Sequence, residues 1–133
     1  AAKRVVKQVT LPRILYVEDT AQNVDLVRRY LAGTFIMIEA GDGEEGLERA
    51  SREMPDLILM DLSLPRLNGW DATRRLKADP TLRHIPVVAV SAHAGSEEKL
   101  RAKDAGCIDY LTKPIEQETL ISTIRKYLGV RHT

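Results

Sequence analysis

The sequence predicts an α/β protein built on one doubly wound parallel sheet of five strands, with helices on both faces. Strand-like and helix-like segments alternate strictly along the 133 residues, which is the order typical of parallel sheets. The strand-like runs, such as Leu-Ile-Leu-Met at 57–60, are apolar without alternation, which indicates burial on both faces. The length suits a single domain around one core.

Five short apolar runs predict the strands. They lie at residues 13–17, 35–40, 56–61, 86–91 and 107–112. The interval after each run is long enough for one helix, so the chain consists of five predicted strand–helix units that share no repeated motif.

The first helix is predicted after Thr20, a residue type that can cap a helix. Val24, Val27 and Leu31 then fall on one face, and Gly33 ends the helix.

The second helix is predicted from about Glu44, because acidic residues suit a first helical turn. Its apolar face would be Leu47, Ala50 and Met54, and Pro55 would end it. The remaining helices are predicted at residues 70–78, 96–105 and 117–128. The last of them would turn four apolar residues inward, namely Leu120, Ile121, Ile124 and Leu128.

The composition excludes several classes of function. Lys plus Arg number 20 and Asp plus Glu number 19, and the resulting net charge of +1 gives no case for direct binding to nucleic acid or to a membrane surface. No apolar run is long enough to span a bilayer. Cys107 is the only cysteine, so no intrachain disulfide can form, and a reducing, cytoplasmic location is predicted.

The carboxyl ends of four predicted strands bring reactive side chains to one edge of the sheet. Glu18 and Asp19 follow the first strand, Asp61 ends the third, Ser91 ends the fourth and Lys113 follows the fifth. Three carboxylates in one cleft repel each other unless a cation neutralises them, and Mg²⁺ is the obvious candidate. A cation, an ammonium and a hydroxyl around one carboxylate would stabilise a phosphoryl group transferred to that carboxylate.

Five segments in this order resemble the receiver domain of two-component response regulators, in particular its single-domain chemotaxis and cell-cycle members. They are Ile-Leu-Tyr-Val-Glu-Asp at 14–19, Pro-Asp-Leu-Ile-Leu-Met-Asp at 55–61, Leu-Pro-Arg-Leu-Asn-Gly at 64–69, Pro-Val-Val-Ala-Val-Ser-Ala at 86–92 and Asp-Tyr-Leu-Thr-Lys-Pro at 109–114. The resemblance implies a receiver domain at 13–129 with the flavodoxin-like strand order 2-1-3-4-5. Residues 1–12 are then an N-terminal arm or linker, and residues 130–133 a C-terminal tail.

The resemblance also implies a role for each site residue. Asp61 would be the phospho-acceptor. The ligands of Mg²⁺, or of Mn²⁺ as a substitute, would be oxygen atoms of Glu18, Asp19, Asp61 and the backbone carbonyl of Ser63. The phosphoryl group would be bound by Ser91, Ala92 and Lys113, and the small Ala92 would leave the cleft open to a donor.

The resemblance implies that further positions control the switch. Ser91 and Tyr110 would move together, and the bond between Lys113 and Pro114 would be cis. Ser63 and His93 would tune dephosphorylation, and since neither is an amide or a carboxylate we expect a longer-lived phosphoryl state than in the chemotaxis type. The output face would comprise the fourth helix, fifth strand and fifth helix, at about 96–105, 108–111 and 117–127.

The implied function is a signalling switch rather than an enzyme acting on outside substrates. It would take its phosphoryl group from a histidine kinase or a histidine phosphotransfer protein and signal to a downstream protein, and a phosphorylation-linked homodimer is compatible with it. One alternative is a receiver module cut from a hybrid histidine kinase or multidomain regulator, and another is a receiver that docks without phosphorylation.

Two functions of similar folds are disfavoured. A flavodoxin-like nucleotide binder needs a phosphate-cradling loop after the first strand, where Glu18 and Asp19 place negative charge instead. A phosphatase of the haloacid dehalogenase type needs a second Asp two residues after the nucleophile, and position 63 is Ser.

Overall fold

The computed structural model describes residues 10–129, and strands alternate with helices throughout them. The elements are β1 (Arg13–Val17), α1 (Ala21–Leu31), β2 (Ile36–Ala40), α2 (Gly43–Glu53), β3 (Leu57–Asp61), α3 (Gly69–Ala78), β4 (Val87–Ser91), α4 (Ser96–Ala105), β5 (Asp109–Thr112) and α5 (Gln117–Leu128). Most of the predicted arm and the whole predicted tail lie outside the described residues, so their boundaries stay a prediction. No helix within residues 10–129 is long and apolar enough to cross a membrane.

The five strands form one parallel sheet in the order β2-β1-β3-β4-β5, which confirms the predicted fold. The central strand β3 pairs with β1 on one side and β4 on the other, and its five residues are all buried. Ile58 and Met60 pack in the layer that contains α2, α3 and α4, whereas Leu57 and Leu59 pack in the layer of α1 and α5. The unbroken apolar sequence of β3 thus follows from its burial on both faces.

Four strands, β2 to β5, begin later than predicted. β3 begins at residue 57 rather than 56, and β4 begins at residue 87 rather than 86. At β2 and β5 the preceding helix uses the first amide of the predicted run. The N–H of Phe35 donates to the carbonyl of Leu31, and the N–H of Cys107 donates to the carbonyl of Ala102, both at 2.9 Å. β2 therefore begins at Ile36 rather than at residue 35, and β5 begins at residue 109 rather than at 107.

Two predictions about helix ends were wrong in detail. Thr20 occupies the N-cap position of α1, but its side chain makes no capping hydrogen bond. Met54 does not face the core, because it adopts a left-handed conformation (φ 48°) just past α2 and is 44% exposed. The left-handed residue ends α2 one position before Pro55, and its side chain is turned away from the apolar face that continues with Leu47 and Ala50.

Candidate functional site

Asp61 is the last residue of β3, and its side chain is buried at the carboxyl edge of the sheet. Its Oδ1 accepts a hydrogen bond from the N–H of Ser63 at 3.0 Å, and its Oδ2 lies 3.2 Å from the Nζ of Lys113. Lys113 reaches this position because it directly follows β5 and its own N–H donates to the carbonyl of Ser91 at 2.8 Å. Three strand ends therefore fix the surroundings of one carboxylate.

Glu18 is also buried, and four donors hold its carboxylate. Oε1 lies 2.8 Å from the Nζ of Lys113 and accepts from the hydroxyl of Tyr16 at 3.0 Å and the amide of Asn23 at 3.2 Å. Oε2 accepts from the N–H of Thr20 at 3.2 Å. Tyr16 and Asn23 were not among the site residues predicted from the sequence. Only Tyr16 carried a signal, because residues two apart in an extended chain share a face.

Asp19 completes the acidic group and differs from its neighbours in being exposed. It forms no hydrogen bond or ion pair with other residues of the range 10–129. Oxygen atoms of Glu18, Asp19 and Asp61 lie within 4.8 Å of one another. Such a set of carboxylate oxygens fits a hard divalent cation such as Mg²⁺.

Burial and mutual repulsion perturb the titration of the acidic group. Burial raises the pKa of Asp61 to about 6, and the adjacent Glu18 adds to the rise, although the N–H of Ser63 and the charge of Lys113 oppose it. Burial alone would raise the pKa of Glu18, but the hydrogen bond and charge of Lys113 bring it below its usual range. Burial alone would lower the pKa of Lys113. The pKa nevertheless rises, because both carboxylates contact the ammonium. The ammonium is therefore held charged between two acids.

The hydroxyl groups of Ser91 and Tyr110 both form hydrogen bonds with the backbone of His93. Within residues 10–129, neither hydroxyl forms a hydrogen bond with Asp61. The buried hydroxyl of Ser91 accepts a hydrogen bond from the N–H of His93 at 3.1 Å, and the hydroxyl of Tyr110 donates to the carbonyl of His93 at 2.5 Å. The side chains of Ala92 and His93 are exposed. The loop between β4 and α4 thus joins the acidic edge of the sheet to β5.

The loop after β3 returns close to Asp61 through a glycine. A Cβ atom on Gly69 would lie 2.3 Å from the carbonyl oxygen of Asp61 and 2.7 Å from the Cα of Leu62. The side chain of Asn68 accepts from the N–H of Asp71 at 2.9 Å and starts α3 at this point. A residue without a side chain is therefore required where α3 meets the backbone of Asp61 and Leu62.

The response regulator receiver domain model matches residues 14–125. The chain belongs to this family. This receiver domain is similar to the polar-differentiation response regulator DivK of Brucella anthropi, with 42% identity over 117 residues that cover 87% of this chain and 95% of DivK. It is also similar to the response regulator PleD of Caulobacter vibrioides, with 40% identity over 85% of this chain but only 25% of PleD.

A solved structure shares the architecture of this receiver domain. It is the receiver domain of the sensor histidine kinase PA1611 from Pseudomonas aeruginosa, crystallised with a magnesium ion coordinated in its active site cleft. The TM-score is 0.84 at 31% identity, and the match covers 91% of this chain and all of the other. The resemblance drawn from five sequence segments is thereby confirmed.

The receiver domain brings together five of the residues singled out from the sequence, namely Glu18, Asp19, Asp61, Lys113 and, through its backbone, Ser63. It does not bring the Ser91 hydroxyl into a hydrogen bond with Asp61, because that oxygen bonds to the loop instead. The peptide bond between Lys113 and Pro114 is cis.

Proposed function

We propose that this receiver domain is a phosphorylation-dependent switch in which Asp61 accepts a phosphoryl group from a phosphohistidine. The observation that carries the proposal is the contact of one ammonium, that of Lys113, with two buried carboxylates, 2.8 Å from Glu18 and 3.2 Å from Asp61. Burying two carboxylates with one ammonium costs folding free energy, and carboxylates perturbed in this way cluster at functional sites. The donor would be a histidine kinase or a histidine phosphotransfer protein.

The transfer is a displacement at phosphorus. An oxygen of Asp61 forms the new P–O bond, the P–N bond of the donor breaks, and its electron pair returns to the imidazole. Lys113 already lies at Oδ2 of Asp61 and would pair with a phosphoryl oxygen. Oxygens of Glu18, Asp19 and Asp61, with the carbonyl of Ser63, would hold Mg²⁺, which supplies positive charge next to the transferred group. The relative that carries magnesium in its cleft supports this assignment.

A structural change at the site would reach the output face through the loop after β4. Ser91 would donate its hydroxyl proton to a phosphoryl oxygen, and turning toward that oxygen would break the bond that Ser91 now accepts from His93. Because the carbonyl of His93 holds the hydroxyl of Tyr110, the loop would carry Tyr110 with it. The phosphoryl group thus stabilises one of two packings of α4, β5 and α5, the proposed output face.

The lifetime of the phosphoryl state would be set at two exposed positions, Ser63 and His93. Neither side chain is an amide or a carboxylate, so we propose slow self-dephosphorylation relative to the chemotaxis type. Loss of the phosphoryl group within seconds in Mg²⁺ buffer would contradict this part of the proposal.

The test is phosphorylation by phosphoramidate in the presence of Mg²⁺, followed by gel-shift analysis and mass spectrometry. The wild type should gain one phosphoryl group that alkali and hydroxylamine both remove, as expected of an acyl phosphate. Asp61→Asn should gain none, while the exposed Asp104→Asn should label like the wild type. The proposal fails if chelating Mg²⁺ leaves labelling unchanged or if Asp61→Asn labels equally.

A further inference from the structure

A second concave surface lies apart from the acidic site, where the end of α3 and the loop before β4 meet α4 and β5. It encloses about 760 Å³. Its cationic lining comprises Lys77, Arg83, Lys99 and Lys103. We call this surface the basic groove. Its floor lies near the start of β4 and β5, the edge of the sheet opposite to Asp61.

Three cations of the basic groove have no acidic partner in the part of the chain that the structure describes. Within residues 10–129, Arg83, Lys99 and Lys103 form no ion pair. Among the described residues that line the groove, Asp109 is the only acid. Both of its oxygens are occupied, Oδ1 by the N–H of Tyr110 at 2.7 Å and Oδ2 by the hydroxyl of Tyr127 at 2.8 Å. The positive charge of the groove is therefore available to a group from outside.

The floor of the groove is closed and partly apolar. The ammonium of Lys77 donates to the carbonyls of Arg83 at 3.1 Å and Ile85 at 2.7 Å, and so joins α3 to the loop before β4. Cys107 is buried beneath the surface, while Ile108 is 52% exposed beside it. An exposed Ile next to cations offers an apolar contact that a simple anion does not use.

We propose that the basic groove docks an acidic protein segment that places one apolar side chain on Ile108. Carboxylates of the segment would pair with Lys99, Lys103 and Arg83. A nucleic acid fits less well, because the net charge of the whole chain is only +1 and, of the described lining residues, none is Phe or Trp and Tyr110 is the only Tyr. Apolar contact and local positive charge together favour a peptide.

This inference deepens the proposed function by giving the chemistry of the partner. Lys99 and Lys103 belong to α4, and the ammonium of Lys99 lies 6.0 Å from the centre of the Tyr110 ring. Tyr110 is in turn bonded to the loop that contains His93. Control of docking by phosphorylation rests on the proposed function, whereas docking itself does not.

The experiment measures fluorescence anisotropy of a fluorescein-labelled peptide of repeated Asp-Glu-Leu units, titrated with the protein without phosphorylation. Lys103→Glu should weaken binding by about tenfold, since a charge reversal replaces attraction by repulsion. Arg29→Glu is the matched control, because it alters net charge equally on an exposed part of α1 away from the groove. Ile108→Gln should weaken binding of the Leu-containing peptide but should not change binding of a peptide in which Gly replaces Leu.

Several outcomes would overturn the inference. Equal weakening by Arg29→Glu and Lys103→Glu would mean that net charge alone attracts the peptide. Tighter binding of a single-stranded oligonucleotide than of the peptide would assign the groove to nucleic acid. Self-association in sedimentation that Lys103→Glu abolishes would assign it to a second copy. Phosphoramidate labelling of Lys103→Glu should match the wild type, so a failure of docking stays distinct from a failure of the Asp61 switch.

Discussion

Replacing Asp61 by Asn should stabilise the folded protein when no divalent cation is present. The folded protein buries this carboxylate beside Glu18, and one ammonium, that of Lys113, serves both acids. Asn keeps the size of the side chain and one acceptor oxygen, but it removes the charge and replaces the other acceptor by an amide donor. Asn therefore removes a repulsion that the unfolded chain does not experience.

The size of the effect follows from the titration of Asp61. Its pKa rises from 3.8 to about 6 on folding, a difference worth about 3 kcal/mol. Because the folded pKa is the higher one, the stability linked to this group is fully present below pH 3.8 and is lost as the pH rises through about 6. Asn does not titrate, so the variant does not lose this stability as the pH rises. Its free energy of unfolding should exceed that of the wild type by nearly zero at about pH 4 and by about 3 kcal/mol above about pH 7.

The assay is urea denaturation in EDTA at several pH values, followed by circular dichroism and by the fluorescence of Trp70, the only tryptophan. Asp104→Asn is the matched control and should change little at any pH. Adding Mg²⁺ should stabilise the wild type more than Asp61→Asn, since only the wild type offers all three carboxylates. Equal stability of wild type and Asp61→Asn at about pH 8 in EDTA would refute the reasoning.

Other substitutions test neighbouring parts of the structure. Gly69→Ala should cost at least about 2 kcal/mol in urea denaturation, because its Cβ would lie 2.3 Å from a backbone oxygen, whereas Gly41→Ala, whose Cβ would meet only a side-chain oxygen at 3.5 Å, should stay within about 0.5 kcal/mol. Lys113→Ala should slow phosphoramidate labelling by about a hundredfold, measured as an initial rate. The guanidinium of Arg101 lies 3.8 Å from the centre of the Trp70 ring, so a double-mutant cycle with Arg101→Gln and Trp70→Leu should give a coupling of about 1 kcal/mol, and a coupling of zero would exclude stacking between α3 and α4.

Local sequence patterns were sufficient to predict the fold. Apolar runs without alternation predicted strands buried on both faces, as the central strand Leu57–Asp61 is. Gly106 and Gly129 adopt left-handed conformations at the ends of α4 and α5, where the sequence predicted helix ends. Errors occurred at element boundaries, as at Met54, where hydrophobicity predicted burial but a left-handed backbone turned the side chain outward.

The sequence by itself determined which residue types follow each strand, and the parallel order of the strands put Glu18, Asp61 and Lys113 at one edge. It did not determine how their charges are shared, because this depends on distances between residues far apart in the chain. Only the tertiary structure decided that Lys113 lies between two buried acids and that Tyr16 orients one of them. The reason is physical: the energy of a charge depends on burial and on partners within a few ångströms, and packing sets both.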